Sequence, residues 1–367
     1  MKIAICTNAF HPLIGGCEAV TKKIAEHLSA KHKVFIFTRH VPNRNVNSRY
    51  RIVEYQRNDK QFFFDRLLEK KFDIVFIYSD MFDFFRFFLK ERWDFKLIIA
   101  LCGANYTYNN KIILGSFPAQ VAAVSKIVCH STVDRDYQLC QKKNLLSKTS
   151  VIPNGVDLSE FNNNQITRQK LSKKYNIDDS KKWILNVSNF FPGKKQEWIL
   201  YLFRPLYKKI DNSVYIQIAS DTPFPVSQQI ESQWLKYKTQ NNIQDVFLLK
   251  NIPRSDVVAF MKSSQVFAFP SAKEVAPIVI LESMASRLPW AGFAVGNTIE
   301  LKGGKCISCH KDRNDNCVIK ERETLLLQQN IIDILNNPTE FQISGREQVE
   351  SNFTWDKILP KYEEIMS

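Results

Sequence analysis

Two carboxylates offer the clearest chemistry in this sequence. Glu274 and Glu282 stand eight residues apart in Phe269-Pro-Ser-Ala-Lys-Glu-Val-Ala-Pro-Ile-Val-Ile-Leu-Glu-Ser-Met-Ala-Ser286. The apolar run before Pro270 reads as a strand, Glu274 falls in the loop after it, and Pro277 is expected at the first position of a helix. The backbone of Val275, Ala276, Pro277 and Ile278 would then present unpaired N–H groups and the positive end of a helix dipole, a cradle for an anion such as a diphosphate. Glu282 lies roughly 7 Å further along the helix at ~1.5 Å per residue, about one sugar ring from that anion. A carboxylate there can accept hydrogen bonds from two vicinal hydroxyls. The alternative is a solvated Glu on the polar face of an amphipathic helix.

Other clusters carry weaker signals. Cys306-Ile-Ser-Cys309-His310 has the spacing of haem attachment, and with Cys317 it offers four zinc ligands. Haem attachment requires export, and Ile3–Phe10 reads as a first strand rather than an export signal, because it is short and runs into His11-Pro12 and a diglycine. Free thiols in a polar loop are the expectation. Phe82–Trp93 interleaves aromatic and basic residues, which suits a buried helix, a face resting on a membrane, or single-stranded nucleic acid; no nucleic-acid motif supports the last.

The elements that must position these groups follow from the hydrophobic pattern. Lys2–Thr7 is a short apolar strand; after Gly15-Gly16, Val20, Ile24 and Leu28 fall at helical spacing; Lys33–Thr38 is another strand. This is a βαβ unit, and further strand runs at Asp73–Tyr78, Lys96–Ala100 and Ser125–Cys129 extend it into a doubly wound α/β domain. The pattern restarts with Trp183–Ser188, Val214–Ala219, Val246–Leu249 and Val266–Phe269, after a polar stretch, 162–180, that reads as a linker. With 367 residues, 44% of them hydrophobic and 27 of them Phe, the chain has enough apolar surface for two domains and is neither disordered nor collagen-like. No apolar run reaches the roughly 18 residues of a membrane span. Eight cysteines without framework spacing point to a reducing compartment. The net charge of +14 is compatible with nucleic acid, an anionic membrane or a phosphorylated ligand, and does not choose among them.

Six segments, in order along nearly the whole chain, resemble the retaining nucleotide-sugar glycosyltransferases of glycosyltransferase family 4 (glycosyl transferases group 1), which have the GT-B fold. They are the Glu274–Glu282 pair, Asn8–Glu18 with its Gly15-Gly16 loop, Val151-Ile-Pro-Asn154-Gly155-Val-Asp157, Val187–Gln196, Leu288–Gly304 with Gly296 and Gly303-Gly304, and Phe353-Thr-Trp355. The resemblance implies two Rossmann-like domains facing each other across a cleft that closes on the substrates. Residues 1–160 would form the acceptor-side domain, 161–347 the nucleotide-sugar domain, and 348–367 a helix crossing back onto the first. It implies no metal and no cofactor besides the substrate, a UDP- or GDP-linked sugar. Glu274, Lys194 and Asn189 would be the catalytic set, with Glu274 on the transferred sugar and Lys194 on the diphosphate. Glu282 would take the ribose hydroxyls, with Val275, Ala276, Pro277, Ile278, Gly15, Gly16 and Asn251 also on the donor side. His11, Cys102, Gly103 and Asn105 would line the acceptor side.

Two positions depart from that pattern. Asn189 stands where the family often has Arg, so one formal charge is missing, with Lys195 or Lys273 as replacements. Cys102 stands where the family often has an active-site His, and a thiol does not reproduce an imidazole at neutral pH. Asn105 or His11 are candidates for that role, while His130 reads as a strand end. The expected function is transfer of a sugar to a hydroxyl of a glycan or lipid-linked acceptor, in polysaccharide, lipopolysaccharide or glycoconjugate synthesis. The expected setting is the cytoplasm, at the inner face of the membrane. The alternatives are a sugar-nucleotide epimerase or phosphorolytic enzyme of the same fold, and a catalytically silent protein that binds a nucleotide sugar or a partner.

Overall fold

Short apolar runs with no polar face, such as Ile3-Ala-Ile-Cys6 and Ile74-Val-Phe-Ile-Tyr78, demand strands covered on both sides, and they form the middle of a parallel sheet. The structure, a computed structural model, describes residues 1–42, 44, 48–56, 59–78, 93–102, 124–204, 208–222, 224–312 and 316–367. Contacts divide the chain into two compact units, Met1–Gly155 together with Trp355–Ser367, and Val156–Thr354.

In the first unit β1 (Lys2–Thr7), β2 (Lys33–Arg39), β3 (Arg51–Tyr55), β4 (Ile74–Tyr78), β5 (Lys96–Ala100), β6 (Lys126–Cys129) and β7 (Thr149–Val151) form one sheet. Their order is β3-β2-β1-β4-β5-β6-β7, and every pairing is parallel. The helix Gly16–Leu28 buries Val20, Ile24 and Leu28, the residues whose spacing marked it. Phenylalanines build much of this core: Phe35 and Phe72, and Phe37 and Phe63, meet edge to face with ring centroids 5.3 and 5.5 Å apart. The last helix, Trp355–Met366, belongs to this unit. Its Tyr362 ring lies 6.0 Å from that of Phe76, and its Glu363 accepts from Lys31 at 2.7 Å.

In the second unit β8 (Lys182–Val187), β9 (Ser213–Ala219), β10 (Val246–Lys250), β11 (Val266–Phe269), β12 (Trp290–Phe293) and β13 (Gly304–Ile307) form a parallel sheet ordered β10-β9-β8-β11-β12-β13. Trp183 and Trp290 are fully buried, and each indole N–H donates to a backbone carbonyl, of Asp178 at 2.8 Å and of Lys302 at 3.0 Å. These bonds remove the cost of burying the polar edge of the ring.

Both units are therefore doubly wound parallel α/β domains. Four strands lie beyond the sequence reading. β3 is a half-exposed edge, β7 has three residues, and β12 and β13 contain Gly292 and Gly304-Lys305, so none shows a continuous apolar run. The polar stretch 162–180 is not a linker: it contains the helix Arg168–Tyr175, capped by the Thr167 side chain and anchored by a fully buried Leu171. One large apolar residue in two turns suffices for packing but leaves no visible period.

The cysteines also differ from expectation. Cys309 and Cys317 are joined as a disulfide, their Cα atoms 5.6 Å apart, within the normal span. A bridge between Lys311 and Cys317 folds the loop back on itself and brings the two together. Their thiolates are thus not zinc ligands here, while Cys306 is free. Among the described residues no group of three or more His, Cys, Asp or Glu side chains is placed to hold a metal.

Candidate functional site

Strand order reverses between β8 and β11, and in such sheets ligands bind at the carboxyl ends of the strands beside that switch point. The two most informative loops of the sequence leave from these strands. Ala272 N–H donates to the Gly193 carbonyl at 2.8 Å and joins them. Across this junction Lys194 Nζ lies 2.5 Å from Glu274 Oε1, an ion pair in which Lys194 is 30% and Glu274 13% exposed.

Each loop is held by buried polar groups. Behind Lys194, the Gln196 side chain is fully buried and donates to Ser188 Oγ and to the Asn189 carbonyl, both at 2.9 Å. Asn186 reaches across to the Ala268 carbonyl at 2.7 Å, and Ser188 Oγ donates to Asn186 Oδ1 at 2.5 Å. Behind Glu274, Asn297 N–H donates to the Val275 carbonyl at 3.0 Å, and Gly296, at φ +55°, leaves no room for a Cβ beside that carbonyl. Asn297 Oδ1 is buried with no hydrogen-bond partner among the described residues, an acceptor that a bound donor group can satisfy.

The helix predicted after Glu274 runs over Ile278–Ala285 with Pro277 as its N-cap, so it begins one residue later than the sequence suggested. A helix's first-turn amides have no acceptor inside it, and here they follow directly on the Glu274 loop. Glu282 is not a solvated surface residue. It is 16% exposed, and Arg254 Nη2 donates to its Oε1 at 2.5 Å. The same guanidinium holds Glu160 with two parallel bonds of 2.8 and 2.9 Å. Burial alone weakens the charge on Arg254, but Glu282 and Glu160 outweigh it and keep the guanidinium firmly protonated. Sequence reasoning stopped at Asn251 and missed Arg254, although Pro253 directly before it is a helix-start signal.

Asn189 and Asn251 serve the loops themselves. Asn189 Oδ1 accepts from Ser220 N–H at 2.8 Å. Asn251, in the left-handed region after β10, accepts from Asp221 N–H at 2.9 Å and donates to the Asp221 carboxylate. Lys195 caps the helix Gln196–Leu202, with Nζ 3.5 Å from Glu197.

In the first unit Gly15 is the N-cap of the helix Gly16–Leu28, in extended backbone, and a Cβ there would run into the Glu18 carboxylate. Burial raises the proton affinity of Glu18. His11 precedes a cis peptide bond to Pro12. Burial, then Lys22 and Arg44, lower its proton affinity. The imidazole that meets Cys102 is His130, directly after β6. Its Nε2 lies 3.3 Å from Cys102 Sγ and 3.4 Å from Tyr78 Oη. Nδ1 lies 2.9 Å from the Ile152 carbonyl, so it carries the proton and Nε2 accepts. Burial, and then its hydrogen bond to Cys17, keep the Cys102 thiol protonated. Gly103 and Asn105 lie outside the described residues, as does the aromatic stretch up to Trp93.

Burial also lowers the proton affinity of His130, opposed in part by the Ile152 carbonyl. The folded value thus lies below the ordinary 6.5, and below about 6.5 the unfolded chain takes up a proton that the folded chain resists. Stability is full above that pH and falls as the pH drops through it. Melting temperature measured from pH 7.5 to 5 is expected to fall more steeply for the wild type than for His130→Gln. Equal slopes would remove His130 as the titrating group.

Two parallel sheets, with the site loops at strand ends, define the class: this is the GT-B architecture of glycosyltransferases. The structure superposes on sucrose-phosphate synthase from Thermosynechococcus elongatus with a TM-score of 0.80, at 16% identity, over 99% of this chain and 98% of that one. It superposes on the Anabaena HepE protein in complex with UDP-glucose with a TM-score of 0.71, at 14% identity, over 99% and 98%. Residues 167–338 match the family described as glycosyl transferases group 1. Among curated relatives, alpha-monoglucosyldiacylglycerol synthase of Streptococcus pneumoniae is 25% identical over 321 residues, 79% of this chain and 70% of that protein. N-acetyl-alpha-D-glucosaminyl L-malate synthase of Bacillus anthracis is 23% identical over 275 residues, 73% of this chain and 64%, just under two thirds, of its own length. No helix among the described residues is long and apolar enough to cross a membrane.

Proposed function

We propose that this protein is a retaining glycosyltransferase of family 4 that moves a sugar from a nucleoside diphosphate to a hydroxyl of a glycan or lipid-linked acceptor. The observation that carries the reading is the Lys194–Glu274 pair at the head of the helix that also bears Glu282. A cation and a ring of helix-start amides supply the positive charge a departing diphosphate needs, without calling on a metal. Glu274, held on Lys194 until substrate arrives, takes the transferred sugar's hydroxyls, and Glu282 takes the ribose hydroxyls. The bond from the anomeric carbon to the diphosphate breaks with its electron pair going to the diphosphate oxygen, a bond to the acceptor oxygen forms on the same face, and the acceptor's proton passes to the departing diphosphate. The acceptor engages the first unit near the Gly15-Gly16 loop, with His11 and the Cys102 region.

Three similarities support this reading. A relative makes a glucosyl-diacylglycerol, a neighbour of the same fold was solved with UDP-glucose, and the matched family is one of glycosyl transferases. The UDP-glucose complex of that neighbour accords with a UDP-linked donor; a GDP-linked donor and a site of action at the cytoplasmic face of a membrane belong to the same proposal. The test is incubation with UDP- and GDP-sugars and candidate acceptors in EDTA, with the product's anomeric configuration read by NMR. Retained configuration and EDTA-resistant turnover are expected. An inverted product refutes retention, and activity that returns only with added divalent metal refutes metal independence.

Arg254 fixes the aim of Glu282 in this scheme. Arg254→Ala is expected to raise the donor KM by roughly tenfold, the loss of one charge-assisted contact, with a smaller change in kcat. Steady-state kinetics against donor checks this; a lowered kcat at unchanged KM would place Arg254 in the chemical step instead.

A further inference from the structure

The far end of the Glu282 helix opens onto a cavity of about 250 Å³, walled by Phe161, Asn162, Lys262, Ser286, Arg287 and Arg346. This is below the ~300 Å³ at which sites for drug-sized ligands begin, so it suits a small group. With Ala285 the lining has seven residues, of which three are cations and none is an acid.

Two of the cations have structural duties that leave donors over. Arg346 is buried; it donates to the Ala285 carbonyl at the helix end, to Asn162 Oδ1 at 2.9 Å and to Glu350 at 2.5 Å. Lys262 Nζ donates to the Asn164 carbonyl at 2.7 Å, using one of its three hydrogens.

Arg287 has no such duty. It follows the helix at φ +57°, in a Schellman turn: its N–H donates to the Met284 carbonyl at 3.0 Å, and the next N–H, of Leu288, donates to Ser283 at 2.9 Å. Glycine is the usual residue at that place because a side chain is strained there. Among the described residues the other non-glycine residues with positive φ are five asparagines, Lys71 and Lys195. The Arg287 guanidinium is exposed and meets no hydrogen-bond or ion-pair partner among the described residues. A strained, unpartnered arginine at the mouth of a cavity already lined by two cations is an arrangement that serves a ligand rather than the fold.

We propose that this cavity binds the phosphate group of an anionic ligand, with Arg287 and Lys262 as its principal donors and Arg346 as its floor. The complement of a wall with three cations and no acid is a small negative group rich in acceptors, and phosphate fits. The same chemistry is offered by a soluble phosphate ester and by a phospholipid headgroup. The proposal does not rest on the donor reading, because the cavity is at the opposite end of the helix.

The test uses the full chain carrying Lys194→Ala, so that the proposed diphosphate site does not contribute. Melting temperature is measured in inorganic phosphate and in potassium chloride of equal ionic strength. Phosphate at ten times its dissociation constant is expected to add about 3 °C. Arg287→Gly, which relieves the strained turn, is expected to raise the melting temperature in chloride while abolishing the phosphate increment. Lys262→Ala is expected to reduce that increment. Co-sedimentation with phosphatidylglycerol vesicles against phosphatidylcholine vesicles forms the second arm. A phosphate increment lost in the variants supports a soluble ligand, and vesicle binding alone, lost in the same variants, supports a headgroup. No response in either arm, or a response unchanged by both variants, overturns the site.

Discussion

Replacing Lys194 with alanine is expected to lower kcat for sugar transfer by roughly 10²–10³-fold, the usual effect of deleting one preorganised group that faces charge developing in a transition state. The ammonium is fixed before substrate arrives: its loop is held by the buried Gln196, Ser188 and Asn186 network, and its Nζ is already 2.5 Å from Glu274. Little reorganisation is needed when the diphosphate takes Glu274's place on the lysine. Glu274→Gln removes the partner charge while keeping the shape, and it too is expected to cost at least tenfold in kcat. Because the two groups touch, the double variant is expected to lose less than the two single losses combined. Initial rates of all three variants at saturating donor decide the matter. Turnover within threefold of wild type for Lys194→Ala would move the chemistry elsewhere, and strict additivity would separate the roles of the two residues.

The second large effect falls on Gly296. A Cβ at this position would collide with the Val275 carbonyl oxygen and crowd that of Glu274, both backbone atoms that cannot swing aside. Its φ of +55° adds the strain of a left-handed residue. Gly296→Ala is therefore expected to destabilise the second unit by about 2–4 kcal/mol, the combined cost of left-handed backbone and overpacking. If the Glu274 loop yields instead, the protein keeps its stability and loses donor affinity. Urea unfolding together with donor titration reads both outcomes. A variant unchanged in both would mean that the loop holding Glu274 is softer than its contacts imply.

Much of the architecture was legible because buried parallel strands are short, apolar and separated by helical periods. β1, β4, β8 and β11 could be found by eye for that reason. The edge strands β3 and β13 could not, since residues such as Arg51, Glu54 and Lys305 dilute the apolar signal. The helix at 168–175 stayed hidden because a single buried leucine carries no period. The disulfide between Cys309 and Cys317 was also beyond reach, as loop spacing says nothing of where a chain turns back on itself.

The sequence by itself determined the residue types and their local frames: a Glu after one strand, a Lys after another, a helix start between two carboxylates, and the GT-B order of elements. Those features depend on neighbours a few residues away, which is why periodicity and turn chemistry expose them. Tertiary structure decided which groups touch. It set Lys194 on Glu274, Arg254 between Glu160 and Glu282, and His130 rather than a loop residue behind Cys102. Such pairings join loops and helices up to 94 residues apart in the chain, and no local pattern encodes that adjacency.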